Sequence, residues 1–403
     1  MIRSINTLLV PIPTIRAHKL ACTVMNEQVL VLVHIQTEDG YEGWGEATTI
    51  GGLSYAEESP HSIKTNIDTY FTPLLLKEQP TTSAKAMQLL NLHINGNRFA
   101  KCAIETALLD IEGKRLNLPV SELIGGRVRD RIEVAWTLAS GNTATDITEA
   151  KRMIEQKRHR IFKLKIGSNP IVDDVAHVLA IKKALPDCRI TVDVNQAWTE
   201  LEAMQGISLL QAGGVDLIEQ PVSMRNKAAL KRLTEHFDVA IMADEIVQDP
   251  QNAFTLAADH CADVFAVKIN QAGGLKAACL IGQMAHLAGI ELYGGTMLEG
   301  PIGTAASAHV FSTYPSLNFD TELFGPLLLT EDVLVQPLDY QDFGLNVPTG
   351  AGLGIEVDSD KVYHYAKQAI TNSLKSSKPQ FATNAQTEIL SQQNNYQSSN
   401  IRK

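Results

Sequence analysis

Phe162-Lys163-Leu164-Lys165-Ile166 is the stretch from which the architecture can be worked out. Residues two apart in an extended chain share a face, so Lys163 and Lys165 lie together while Phe162, Leu164 and Ile166 take the other side. A short strand with one wholly apolar face fits a parallel sheet whose outside is covered by helices. The two lysines must then point inward or toward a mouth. Burying two ammonium groups is unfavourable unless carboxylates or ligands compensate them. Further short strands are predicted on either side, at residues 134–138, 190–194, 217–219, 240–243, 264–269, 291–293 and 317–320, with amphipathic helical segments between them. Eight strands alternating with helices predict a parallel sheet closed into a barrel. An open doubly wound sheet is the competing topology, but no glycine-rich phosphate fingerprint follows the first strands.

In such a barrel the functional groups gather at the C-terminal ends of the strands. Lys163 and Lys165 end the second strand, Asp193 the third and Glu219 the fourth. Asp244, followed by Glu245, ends the fifth, Lys268 ends the sixth, and the eighth leads to Glu322. From Lys165 to Lys268 the steps are 28, 26, 25 and 24 residues, one strand–helix unit each time. Each residue alone reads as a solvated loop residue. Together they would converge on one mouth. Asp193, in Thr191-Val192-Asp193-Val194-Asn195, follows the same inward alternation as the lysines. Three carboxylates from neighbouring strands, without His or Cys, are hard oxygen ligands that favour Mg²⁺ or Mn²⁺ over zinc or copper. The competing interpretation is a salt-bridge network with Lys163, Lys165 and Lys268.

The first 130 residues have a different texture. Strand signals at 28–37 and 41–47 form a hairpin around Gly40, and helical stretches follow at 62–77, 84–92 and 98–116, which predicts an α+β unit. Residues 371–403 are rich in Ser, Asn and Gln and almost lack apolar periodicity, so a disordered or loosely docked tail is expected there. Of the 403 residues 44% are hydrophobic, enough for sizeable cores, and a net charge of −10 argues against a duplex-binding surface. Five cysteines, at 22, 102, 188, 261 and 279, form no Cys-x-x-Cys and no regular frame. Free thiols in a reducing, cytoplasmic setting are expected. No apolar run approaches the ~20 residues of a membrane span, and nothing reads as a secretory signal.

The series of strand-end groups resembles the enolase superfamily, in its muconate-lactonizing subgroup. The likeness rests on Lys163-x-Lys165, on the three carboxylates, and on Val267-Lys268-Ile269-Asn270. It extends through Gly294-Gly295-Thr296-Met297-Leu298-Glu299-Gly300, Thr321-Glu322-Leu323-Phe324-Gly325-Pro326 and the Thr48–Tyr55 loop, and covers about residues 1–370. It implies an α/β fold with a modified TIM barrel: an N-terminal α+β capping domain (1–130), a (β/α)7β catalytic barrel (131–350) and a return of the chain to the cap (351–370). That superfamily is itself the known case of a Lys or His base working with metal ions that stabilise an ene-diolate. The implied reaction is the reversible lactonisation of cis,cis-muconate, a small dicarboxylate. Mn²⁺ or Mg²⁺ would be held by Asp193, Glu219 and Asp244. Lys165 would be the acid/base, and Lys163 and Lys268 would stabilise charge, with Lys268 a possible second acid/base on the opposite face. Glu322 would hydrogen-bond the intermediate. Ile50 and Tyr55 would pack over the substrate from the cap, and Asn195 and Thr296 would contact it. The resemblance further implies a homo-oligomer, an octamer, with no nucleic-acid or membrane partner. The same scaffold also serves chloromuconate cycloisomerisation, dipeptide epimerisation and o-succinylbenzoate synthesis. A mandelate-racemase-like variant is disfavoured, because Lys268 occupies strand six and Thr296 follows strand seven. Outside the superfamily, a Schiff-base aldolase would also place a lysine at a strand end but would not require three carboxylates, and a barrel that has lost catalysis would not keep every catalytic position.

Overall fold

The computed structural model describes residues 1–20 and 23–375. It begins with a three-stranded antiparallel sheet of β1 (Ile2–Lys19), β2 (Val24–Thr37) and β3 (Glu42–Ala47), in that spatial order. β1, which contains Pro11 and Pro13, was not anticipated. It pairs along its length with β2 and otherwise makes a single bridge, Thr14 to Leu329, so most of its outer side is an edge, and an edge tolerates residues that lack an N–H donor. Helix Arg98–Leu116 lies against this sheet at very short range. Gly45 makes this possible: a Cβ there would fall 1.9 Å from the carbonyl oxygen of Ala103.

A second small sheet joins β4 (Arg131–Glu133) to β12 (Tyr340–Gln341) and β13 (Gly344–Asn346). Between them runs the main sheet. Its strands are β5 (Trp136–Leu138), β6 (Ile161–Lys165), β7 (Arg189–Asp193), β8 (Leu217–Glu219), β9 (Ala240–Ala243), β10 (Val264–Val267) and β11 (Glu291–Gly294). They are parallel and adjacent in chain order. A helix follows each strand, and several helices start with a side-chain cap, such as Asn142, Thr199, Asn226 and Asp249. Each cap satisfies a backbone N–H left over in the first turn.

The sheet closes, which removes the doubly wound alternative. Closure comes through one residue: Thr321 makes parallel bridges both to Val134 and to Gly294. The Ala135 N–H donates to Thr321 O at 2.7 Å, and the Glu322 N–H donates to Gly294 O at 2.9 Å. The eighth strand expected at 317–320 is therefore absent from that position. Asp320 sits in the left-handed region at φ +64°, which turns the chain just before the seam. Leu217, Met242, Val264, Ala266 and Tyr293 form an apolar plug inside the barrel.

Helix Ser359–Lys375 packs back against β1. Its first half buries Val362 and Ala366, four apart on one helical face. The first five residues of the expected tail thus belong to this helix, and residues 376–403 lie outside the described residues, as does Cys22. Among the described residues no helix is long and apolar enough to cross a membrane.

Candidate active site

The ladder register sets the site. Lys165 lies beside Asp193 across β6 and β7, and Asp193 beside Glu219 across β7 and β8. Asp244 and Lys268 extend the row as the first residues after β9 and β10. Alternate residues of each strand face inward, so a polar layer rests on the apolar plug.

Lys163 is at the centre of that layer. Its Nζ lies 2.5 Å from Glu219 Oε2, 3.0 Å from Glu322 Oε2 and 3.2 Å from Asp193 Oδ2, with the side chain 1% exposed. Burial opposes its charge, but Glu219, Glu322 and Asp193 outweigh that and hold its pKa well above the usual lysine value. Lys165 also donates to Asp193 Oδ2. Burial pushes the Asp193 carboxyl up, yet the two lysines win and keep it well below the usual range. On the far side of the mouth Lys268 donates to Asp244 Oδ2 at 2.8 Å. The same oxygen accepts from the Tyr55 hydroxyl at 2.7 Å, and that hydroxyl accepts from Lys268 at 2.7 Å. Tyr55 thus reaches from the cap into the polar layer itself.

Other expected residues have different surroundings. Asn195 donates its backbone N–H to Asp193 Oδ1 at 2.8 Å and its side-chain amide to Glu245 Oε1 at 3.2 Å. Ile50 is buried in the main hydrophobic core. The Thr296 hydroxyl donates to Glu299 Oε2 and accepts from the Leu298 N–H at 2.9 Å. Its single donor is committed inside its own loop, so the residue shapes that loop. The cap grips the same loop. Gln28 donates to the carbonyls of Met297 and Leu298 at 3.0 and 2.9 Å, and Glu46 accepts from the Gly303 N–H at 2.8 Å.

Sequence reasoning missed three contributors. Glu245 is buried beside Asp244, and burial together with Asp244 and Asp193 pushes its pKa up to about 8. Gln220 accepts the Asp244 N–H at 2.9 Å. Tyr293 places its ring 5.6 Å from the Lys163 ammonium. Only Glu245 left a trace in sequence, as the neighbour of an expected ligand. Non-glycine residues in the left-handed region cluster at this mouth, at Asn195, Gln196, Gln220 and Leu298. Strained backbone of this kind gathers at functional sites.

The layer holds five carboxylates, those of Asp193, Glu219, Asp244, Glu245 and Glu322, against the ammonium groups of Lys163, Lys165 and Lys268. Glu219 Oε1, Asp244 Oδ1 and Glu245 Oε2 are buried without a hydrogen-bond partner. As the side chains stand, the lysines separate the carboxylates, and among the described residues no three acidic, His or Cys groups converge as a finished cation cage. The donor chemistry and the orphaned oxygens fit one divalent cation.

Comparison with known proteins agrees with this geometry. Residues 4–125 match the model of the mandelate racemase / muconate lactonizing enzyme N-terminal domain, and residues 146–361 match the enolase C-terminal domain-like model. The chain is 63% identical over 364 residues to muconate cycloisomerase 1 of Acinetobacter baylyi, covering 90% of this chain and 98% of that protein. It is 42% identical over 369 residues to a chloromuconate cycloisomerase of Cupriavidus necator, covering 91% of this chain and all of that protein. Among solved structures, the muconate lactonizing enzyme of Pseudomonas fluorescens complexed with muconolactone superposes with a TM-score of 0.89 at 54% identity, covering 90% of this chain and 98% of that one. Two matching domain models, relatives matched along nearly their whole length and a shared barrel with its cap lead to one conclusion: the chain belongs to the mandelate racemase / muconate lactonizing enzyme family.

Proposed function

We propose that this protein is a cycloisomerase that reversibly converts cis,cis-muconate to muconolactone. The observation that carries the reading is the pair of opposed lysines, Lys165 on Asp193 and Lys268 on Asp244, set on β6 and just after β10 with three strands between them. A planar conjugated acid lying across the mouth would offer one face to each. In the forward direction a carboxylate oxygen of the substrate adds to the conjugated double bond and closes a five-membered lactone. Lys165 then delivers one proton to the α-carbon, so a dianion and a proton become a monoanion. In reverse Lys165 removes that proton. Lys163 and Lys268 keep positive charge beside the electron density that develops on the other carboxylate, in a site with little water to weaken the attraction. Glu322 holds Lys163 in place.

Asp193, Glu219 and Asp244 would hold Mg²⁺ or Mn²⁺, which supplies Lewis-acid stabilisation of the substrate carboxylate. Tyr55 orients both Asp244 and Lys268 and closes the cap over the substrate. The higher identity to the muconate enzymes than to the chloromuconate enzymes favours the unsubstituted substrate. The four described cysteines are free, which supports a reducing cytoplasmic setting, and the family likeness supports a homo-oligomer. The direct test is incubation of the metal-loaded protein with cis,cis-muconate, following loss of the diene absorption and identifying the product by NMR. Formation of muconolactone is expected. If no lactone forms, muconate is not the substrate.

A further inference from the structure

A second cluster of charge lies away from the barrel mouth and has no part in the chemistry above. It lines a cleft of about 490 Å³ where the cap meets the barrel. Arg98 and Lys101 come from the first turn of helix Arg98–Leu116, and Lys276 comes from the start of helix Leu275–Leu287. Among the described residues none of the three forms an ion pair, and their hydrogen-bond acceptors are neutral. Arg98 Nη2 donates to Gln248 Oε1 at 3.1 Å, Lys101 Nζ to Ile94 O at 2.7 Å, and Lys276 Nζ to Ser83 Oγ at 2.9 Å. The Nε of Arg98 is buried without any partner.

This pattern departs from the rest of the molecule. Three lysines are buried among the described residues, Lys101, Lys163 and Lys268. Lys163 meets Glu219 and Lys268 meets Asp244, each a full counter-charge. Lys101 has only a carbonyl, and burial lowers its pKa from the usual lysine value. An ammonium taken out of water without a counter-ion is unfavourable. Two carboxylates line the cleft, but both are turned to backbone donors. Glu105 Oε2 accepts the Lys276 N–H at 3.3 Å, and Asp249 Oδ1 accepts the Asn252 N–H at 2.9 Å as the cap of helix Pro250–Ala258. Glu58 acts on Lys101 from outside the cleft, while its own oxygens accept the Phe99 and Ala100 N–H groups.

We infer that this cleft is a binding site for a small dianion, gripped by Arg98 and Lys101 from the cap and by Lys276 from the barrel. A phosphate group and a pair of carboxylates share the chemistry required. The planar fork of Arg98 suits an oxyanion, and the two ammonium groups supply the remaining charge. Such a ligand would touch both domains and staple the cap to the barrel. The inference is independent of the reaction proposed above, because none of these residues belongs to the polar layer.

The test is calorimetric titration of the Mg²⁺-loaded full chain with inorganic phosphate and, separately, with succinate, at an ionic strength held constant with chloride so that screening does not change. Binding of at least one anion is expected, together with a rise in melting temperature. Phosphate alone would mark a phosphate-bearing ligand, succinate alone a dicarboxylate, and both a site that reads charge. Lys276→Met and Arg98→Met should each weaken that binding by ~10-fold or more, the size of one lost hydrogen bond to a charged group. Lys276→Arg should keep it, and in chloride alone both Met variants should melt close to the wild type. Absence of binding by either anion would overturn the inference. So would equal binding in the Met variants, which would place the anion among the lysines of the mouth. Weakened binding that follows a fall in melting temperature and is not restored by Lys276→Arg would also overturn it.

Discussion

Replacing Lys165 by Met separates catalysis from folding, because the structure gives very different sizes to the two effects. Lys165 makes one ion pair, to Asp193. When it is removed, Asp193 keeps Lys163 at 3.2 Å and the Asn195 N–H at 2.8 Å, so no buried charge is orphaned. The loss is one charge-assisted hydrogen bond among several, about 1.5–3 kcal/mol of stability at most. The catalytic loss is larger. Withdrawing a positioned general acid lowers kcat by ~10²–10⁴-fold, or about 3–5 kcal/mol in the barrier. Lactonisation in D₂O, with the product read by NMR, reports the face that receives deuterium. The wild type should deuterate on the same face as the oxygen that adds, and Lys165→Met should no longer exchange the α-proton of added lactone. Lys268→Met should keep that exchange while losing rate. The refuting pattern is deuterium on the opposite face, with exchange surviving in Lys165→Met and vanishing in Lys268→Met. That outcome would transfer the proton to the other lysine.

Three further outcomes test other parts of the site. Exhaustive chelation should abolish turnover and Mn²⁺ or Mg²⁺ should restore it; full activity in a metal-analysed, metal-free sample would remove the ligand role of Asp193, Glu219 and Asp244. Tyr55→Phe deletes the donor to Asp244 and the acceptor for Lys268, so kcat/KM should fall by ~10-fold with little change in melting temperature, and the reverse pattern would make Tyr55 a packing residue. Burial, opposed by the Gly303 N–H and reinforced by nearby Glu299, raises the Glu46 pKa from 4.5 to about 8. Between those values the folded chain keeps a proton that the unfolded chain has lost, so stability falls as pH rises through the window. Glu46→Gln cannot titrate and should flatten the melting-temperature profile from pH 5 to 8; parallel profiles would show that Glu46 is already ionised when folded.

The lysines and strand-end carboxylates were legible because a barrel imposes a period. One strand and one helix take about the same number of residues each time, and inward positions alternate within each strand. Features that lack a period were not legible. Tyr55 meets Asp244 across 189 residues and Lys268 across 213, through contacts that only the docked cap creates. β1, which was not anticipated, carries two prolines that a sheet edge tolerates. The eighth strand was misplaced because 317–320 has strand-like composition, while the left-handed turn at Asp320 shifts the pairing to a single following residue. The commitment of the Thr296 hydroxyl to Glu299 depends on a tight loop that no pattern announces.

Closure through Thr321 has a consequence for biosynthesis. The residue that joins β11 to the start of β5 lies 187 positions after its partner Val134. Until it leaves the ribosome, the growing chain carries a curled sheet with two bare edges, one at β5 and one at β11. Such edges invite pairing with other chains, and contacts this distant in sequence form slowly. Glu322, the next residue, reaches Lys163 in the same event. Completion of the scaffold and arrival of the last charged group therefore fall on adjacent residues, and a chain that stopped short of residue 321 would lack both.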